Sequence, residues 1–404
     1  MNESSATKAP IFTKRFNLNF IINFFVYLCM YLLIVVIAGY SKSEYHASDS
    51  LAGLVVGLFI VGSLIGRFGT GKYVNLFGPK KILIFGLSCL IVTQALYFIP
   101  SNIYFLMFVR LINGIATAIA TTATGTIAAY VTPQTRKSEG ISLFSLSLVL
   151  GTAVGPFFGI LLLNAFSITV LFTLCIILSI IGLLLSLFIK IDFETVKPSH
   201  NDSGHKGFSI HNFIAKEAVP VAIVMMLIGV TYAAILTYLQ VFAEQRDLVN
   251  AASYFFIFYA IASLVTRPIA GRLMDNKNEN VVVYPAFIAQ ILCFICLVFS
   301  YNSGLLLLAG ILLGIGYGNL SSSMQAISIK VSPSSKYGLA TSTYFIGLDI
   351  GVGFGPSFLG LFTHMVSYGQ IYGAMAILGL LTTAVYFLVH GLSLIHISEP
   401  TRLG

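Results

Sequence analysis

A stretch of roughly 20 consecutive apolar residues is long enough to cross the hydrocarbon of a bilayer as a helix, and this chain repeats such a stretch twelve times. The runs fall at about 16–38, 50–71, 80–100, 104–131, 139–164, 167–190, 218–242, 250–270, 281–300, 303–329, 338–364 and 369–391. Only 9% of the 404 residues are charged and 57% are hydrophobic, whereas a soluble domain carries about 25% charge. Backbone polar groups in lipid must pair within the segment, so runs of this length fold as helices. The expected class is an all-α polytopic membrane protein with 12 transmembrane helices. Nothing like a small-residue cleavage site follows the first run, so it reads as a span and not as a removable leader.

The net charge of +8 invites a nucleic-acid partner, but its distribution argues against one. On the twelve-span map one side receives Lys8, Lys14, Arg15, Lys72, Lys80, Lys81, Arg136, Lys137, Lys190, Lys197, Lys206, Lys216, Arg272, Lys277, Lys330 and Lys336, and the other only Lys42 and Arg246. That asymmetry predicts a cell-membrane protein with both termini in the cytoplasm. No Trp is present, which leaves Tyr as the interfacial aromatic. All five cysteines lie inside apolar runs, and the C-x-x-C of Cys293 and Cys296 lacks the second pair or neighbouring His of a zinc site. They read as apolar fillers, and no metal is expected.

The chain is written twice. Ser63, Leu64, Arg67 and Gly71 recur as Ser263, Leu264, Arg267 and Gly271, and the offset of 200 persists in Glu44/Glu244, Gly114/Gly314, Val131/Val331 and Pro133/Pro333. "GTAVGP" (Gly151–Pro156) likewise returns as "GVGFGP" (Gly351–Pro356). Six spans per copy is an even number, so the copies enter from the same side as parallel repeats. The predicted division is a six-helix bundle over 1–190, a polar cytoplasmic linker over 191–216 and a second bundle over 217–391. Residues 392–404 break the pattern; "LSLIHISEPTR" resembles a translated sequencing adaptor and is expected to carry no function.

The loop "GKYVNLFGPKK" resembles the signature between spans two and three of the major facilitator superfamily. Gly71, Gly78, Lys80 and Lys81 match; Asn75 stands where that family prefers Asp and Leu76 where it prefers Arg, while the second copy keeps Gly271 and the acid Asp275. "RLINGIATA" (Arg110–Ala118) is similar to its fourth-span motif. "GTAVGPFFG" (Gly151–Gly159) is similar to the fifth-span motif of its proton-coupled antiporters, mostly drug exporters, with Ile160 replacing a final glycine. The resemblance covers residues 10–391. It implies two bundles that rock about a midplane cavity, a monomer, and an acid in the loop that latches the closed state at a helix N-terminus of the opposite half.

The residues also carry their own physical reading. Ser147, Gly151, Gly155 and Gly159 form a small-residue stripe and Pro156 a kink; Gly347, Gly351, Gly355 and Pro356 repeat them. Both stripes are expected at faces where the halves rock. Charge in hydrocarbon costs at least about 2.5–3.5 kcal/mol per residue, and only Arg110 and Asp349 stand well inside a run. Arg67 and Arg267 are expected to snorkel to the interface. Arg110, Asn113, Thr117, Thr121 and Thr124 share one helical face, which must look into the bundle.

Asn319, Ser322 and Ser323 add a shorter polar face, and Asn23, Tyr27, Tyr31, Tyr232, Tyr238 and Gln240 come from spans one and seven. Such a lining suits amphipathic organic molecules. Low dielectric disfavours a charged carboxylate and an adjacent guanidinium favours it. Asp349 with Arg110 is therefore the expected proton-coupling pair, although the first span lacks the acid that many drug exporters carry. The expected function is export of small amphipathic molecules by proton antiport, without a cofactor. A proton-coupled importer of a sugar or organic acid is the alternative on the same fold. The runs bring together no His/Asp/Glu set of the kind an enzyme requires.

Overall fold

The computed structural model describes residues 9–99, 102–191, 213–363 and 365–391. Most of the linker and all of the adaptor-like segment lie outside them. The described residues form helices without strands: α1 (Lys14–Tyr45), α2 (Asp49–Phe77), α3 (Pro79–Ala95), α4 (Ile103–Val131), α5 (Lys137–Phe144), α6 (Leu146–Ala165), α7 (Ile168–Leu187), α8 (Val219–Glu244), α9 (Val249–Asn276), α10 (Asn280–Val298), α11 (Ser303–Lys330), α12 (Tyr337–Gly360) and α13 (Tyr368–Tyr386). α5 and α6 divide the fifth run at Ser145. Among the described residues eleven segments are long and apolar enough to cross a membrane. The remaining crossing, α12, carries Asp349 and a sequence rich in Gly, Ser and Thr.

The repeat is visible in the helix ends. Asn102 accepts from Phe105 N–H at 3.0 Å and Asn302 from Leu305 N–H at 2.9 Å, capping α4 and α11 alike. Each side-chain oxygen satisfies an amide that the first helical turn leaves orphaned. Pro133 and Pro333 both open a short 3₁₀ turn that leads into the next helix. Gly78 joins α2 to α3 at φ 88°, a conformation L side chains rarely adopt, and Pro79 then starts α3 where its missing N–H costs nothing.

The small-residue stripes pack inside each copy, not between copies, which corrects the expectation. A Cβ at Gly151 or Gly155 would meet Tyr27 or Tyr31 of α1. One at Gly347 or Gly351 would meet Ala222 or Met226 of α8, and one at Gly355 would lie 2.8 Å from the Ala233 Cβ. Pro156 and Pro356 sit within α6 and α12. The two copies meet elsewhere, α2 against α12 and α5 against α9. Glycines at those seams include Gly71, where a Cβ would lie 2.7 Å from the Ser342 Cβ, Gly271, where it would lie 2.6 Å from the Glu139 Cα, and Gly338 and Gly353 of α12, which face α2.

Candidate functional site

The seams concentrate on the face that carries the basic loops. Asp275, near the end of α9, accepts from Ser138 N–H at 2.9 Å and Glu139 N–H at 2.8 Å, the opening amides of α5 in the other copy. Lys330 lies 3.7 Å from the same carboxylate. Asn75 makes the mirror contact: its Oδ1 accepts from Gly338 N–H of α12 at 3.1 Å. A carboxylate facing a helix N-terminus gains from orphaned N–H groups and from the macrodipole; the neutral Asn75 keeps one hydrogen bond without the charge. Glu139, almost wholly buried, bridges Arg136 at 2.7 Å and Arg272 of the other copy at 2.6 Å. Tyr130 donates to the Ser334 carbonyl at 2.8 Å. Of the basic loop residues, Lys80 donates to the Leu187 carbonyl, and Lys81 is exposed.

Behind this closed face lies a cavity of about 80 Å³, room for several waters. A neighbouring chamber of about 190 Å³ shares Met30, Tyr31, Ser63, Asp349 and Val352 with it and continues past Ile34, Phe59 and Leu236. Those positions lie toward the ends of α1, α2 and α8 remote from the basic loops. Tyr27, Tyr31, Thr117, Thr121, Tyr232 and Tyr317 line the first chamber. Tyr232 and Tyr317 stack with centroids 3.8 Å apart.

Asp349 stands between the chambers, and its partner is Arg67 rather than Arg110. Arg67 Nε donates to Asp349 Oδ2 at 3.0 Å and Ser63 Oγ to the same oxygen at 2.7 Å. Arg67 is 4% exposed, so it does not snorkel. Its Nη1 donates to Thr121 and Thr122 at 2.7 and 2.9 Å, and its guanidinium lies 4.2 Å over the Phe345 ring. Ser342 donates to the Arg67 carbonyl. α2 and α12 belong to different copies, so this pair ties the copies together at the floor of the cavity. Breaking a buried ion pair by removing one partner costs about 3–5 kcal/mol.

Arg110 is fully buried on the far side of α2, donating to the Val55 carbonyl at 3.4 Å and Tyr97 Oη at 3.3 Å beneath the Phe59 ring. Asn113 turns to Thr93 of α3. The α4 face therefore divides: Thr117 and Thr121 meet the cavity, while Arg110 and Asn113 meet neighbouring helices. Of the C-terminal residues expected to line the cavity, Tyr232 does so, beside Asp349; Tyr238, Gln240, Asn319, Ser322 and Ser323 do not. Tyr238 donates to the Pro356 carbonyl, and Gln240 is exposed beside Glu244. Asn319 bonds Thr266 at an apolar hollow between α9, α10 and α11. Ser322 bonds back to its own helix, and Ser323 is buried. Asn23 accepts from Thr124 at 2.7 Å and donates to Ser147, joining α1, α4 and α6. Sequence reasoning passed over Ser63, Arg67, Glu139, Arg272 and Ser342. The recurrence of Arg67 as Arg267 was the signal available for the most important of them.

The comparisons agree with this architecture. A Multi-drug resistance efflux pump PmrA from Streptococcus pneumoniae is 26% identical over 329 residues, covering 78% of this chain and 82% of the relative. The human organic anion transporter MFSD10 superposes with a TM-score of 0.78 at 14% identity, covering 92% of this chain and 98% of that one. The proton:xylose symporter XylE gives 0.77 at 12% identity, covering 94% and 95%. At those identities the likeness is one of fold, and it includes a proton symporter. The sequence profile of the Major Facilitator Superfamily matches residues 20–304 and 282–400, and with two repeated bundles closed around an interior ion pair, this chain belongs to that superfamily.

Proposed function

We propose that the chain is a monomeric secondary transporter of the cell membrane, both termini cytoplasmic, that exports small amphipathic organic molecules in exchange for protons. The observation that carries this reading is the Asp349–Arg67 pair, an ion pair shared between the two copies at the cavity floor. With Asp349 ionised, the pair helps hold α2 against α12 and the basic face stays closed. A proton arriving from the opposite face neutralises the carboxylate, releases Arg67 and weakens that hold. The basic face then opens, the proton leaves to the cytoplasm, and a substrate enters. The relative named as an efflux pump, at 26% identity, supports the outward direction. No cofactor enters the cycle; the proton gradient drives it.

The test uses inside-out vesicles holding the full chain, with an acidified lumen and a panel of pyrene amphiphiles of different charge. Wild type should release luminal protons when a transported member is added. Asp349→Asn should lower that release at least about tenfold, corresponding to ~1.4 kcal/mol or more of lost coupling, while binding of the amphiphile persists. Undiminished release in Asp349→Asn would overturn the assignment of the coupling residue.

A further inference from the structure

The repeat gives Arg67 a twin that has no acid. Arg267 occupies the same register in α9 and is 1% exposed. The position equivalent to Asp349 at the offset of 200 is Val149, a buried apolar residue of α6. Arg267 Nη1 donates to Ser145 at 2.8 Å and Nη2 to Ser321 at 3.0 Å. Its Nε is buried without a partner among the described residues. A guanidinium has five N–H donors, so two hydroxyl contacts leave most of them idle, and neither contact neutralises the charge. Uncompensated charge in a protein interior costs several kcal/mol. Arg110 adds a second cation, which meets a carbonyl, a phenol and a ring, so the interior around the Asp349 carboxylate is cationic.

The contact with Ser145 crosses between the copies. Ser145 lies at the break between α5 and α6 in one copy, and Arg267 in the other. Separating α5 from α9 at the basic face would take the Ser145 hydroxyl away from Nη1 and leave the guanidinium facing the gap between them. We infer that Arg267 is the anchor for an anionic group, a carboxylate, on the transported molecule, taken up while the basic face is open. A guanidinium binds a carboxylate through two parallel charge-assisted hydrogen bonds, the geometry that Nε and Nη2 offer. When the face closes, Ser145 returns to Nη1 and the anion is left beside the ionised Asp349, which favours its departure through the outer chamber. The inference rests on the export reading and specifies its substrate class.

The experiment measures equilibrium binding of 1-pyrenebutyrate, its carboxamide and 1-pyrenebutylamine to the purified full chain, and proton release by the same three probes in vesicles. Wild type should bind the carboxylate at least about tenfold more tightly than the amide, the scale of one charge-assisted contact. Arg267→Gln should bring that ratio close to one. Val149→Asp keeps Arg267 but supplies an internal anion at the twin position, and it too should abolish the preference, which covers the case of a misfolded glutamine variant. Equal binding of the three probes to wild type, or a preference that survives both substitutions, would overturn the anchor. A carboxylate preference without proton release from any probe would uphold the anchor and defeat antiport. Proton release without the preference would do the reverse.

Discussion

Asn75 and Asp275 occupy equivalent positions and face equivalent helix N-termini, yet one is neutral and the other charged. Asp275 takes two amides at 2.9 and 2.8 Å, and Asn75 takes one at 3.1 Å. The two seams on the basic face are therefore unequal, and the α5–α9 seam is the stronger. Asn75→Asp should favour the closed basic face by about 0.3–1 kcal/mol, the usual gain of an anion at a helix N-terminus, or about two- to fivefold in population. Asp275→Ala should shift the balance the other way by about tenfold or more, since hydrogen bonds to a charged group contribute about 1.5–3 kcal/mol. Distances between spin labels at Leu76 and Lys277, read by pulsed electron resonance, would report both shifts. No change in either variant would remove the latch role.

Helices approach closely only where a side chain is missing. α9 seats on α5 at Gly271 and α2 on α12 at Gly71, with Glu139 and Ser342 filling the space a Cβ would need. Gly69, by contrast, has its nearest neighbour 3.9 Å from such a Cβ, on the flexible ring of Tyr73. Gly271→Val should keep the two helices apart and lower transport by about tenfold or more, because overpacking of a tight contact costs about 1–3 kcal/mol. Gly69→Ala, at an open position, should leave transport nearly unchanged. Transport rates in vesicles, normalised to the amount of folded protein, check the pair; equal effects would mean that these glycines do not set the seam. The stripes on α6 and α12 work differently. Gly151 and Gly155 bring α6 onto the backbone of Tyr27 and Tyr31, holding those two rings at the cavity wall.

At the scale of the whole molecule the polar contacts between copies lie at or below Asp349 on the basic side, whereas the chambers extend the other way. This arrangement is the basic-face-closed member of a transport cycle. Ile34→Cys and Leu236→Cys, placed singly in a background with Cys29, Cys89, Cys175, Cys293 and Cys296 replaced by Ala, should react with an impermeant maleimide from the face opposite the basic loops. Ser138→Cys, at the α5–α9 seam and buried there, should be shielded until Asp275→Ala opens it. Labelling of Ser138→Cys at the same rate in both backgrounds would contradict the closed seam.

Membrane insertion, the helical class and the twofold repeat follow from one dimension. A bilayer demands runs of a given length with their backbone satisfied internally, and a linear chain displays run length and repeat offset directly. The resemblance of the loop likewise implied that its acid, Asp275, meets a helix N-terminus of the other copy, because that role belongs to a local motif; that neutral Asn75 makes the mirror contact came from the structure. Which charges meet was not legible. Arg67 reads as an interfacial residue by its place in the second run, and Arg110 as the central one by its place in the fourth. Only packing put Arg67 against Asp349, on a helix 282 positions away in sequence, and sent Arg110 behind α2. Span depth can be counted from a sequence, but the direction a side chain faces depends on how helices rotate to bury their glycines. Tertiary structure decided the ion pair, the cavity and the acid-free twin at Arg267 for that reason.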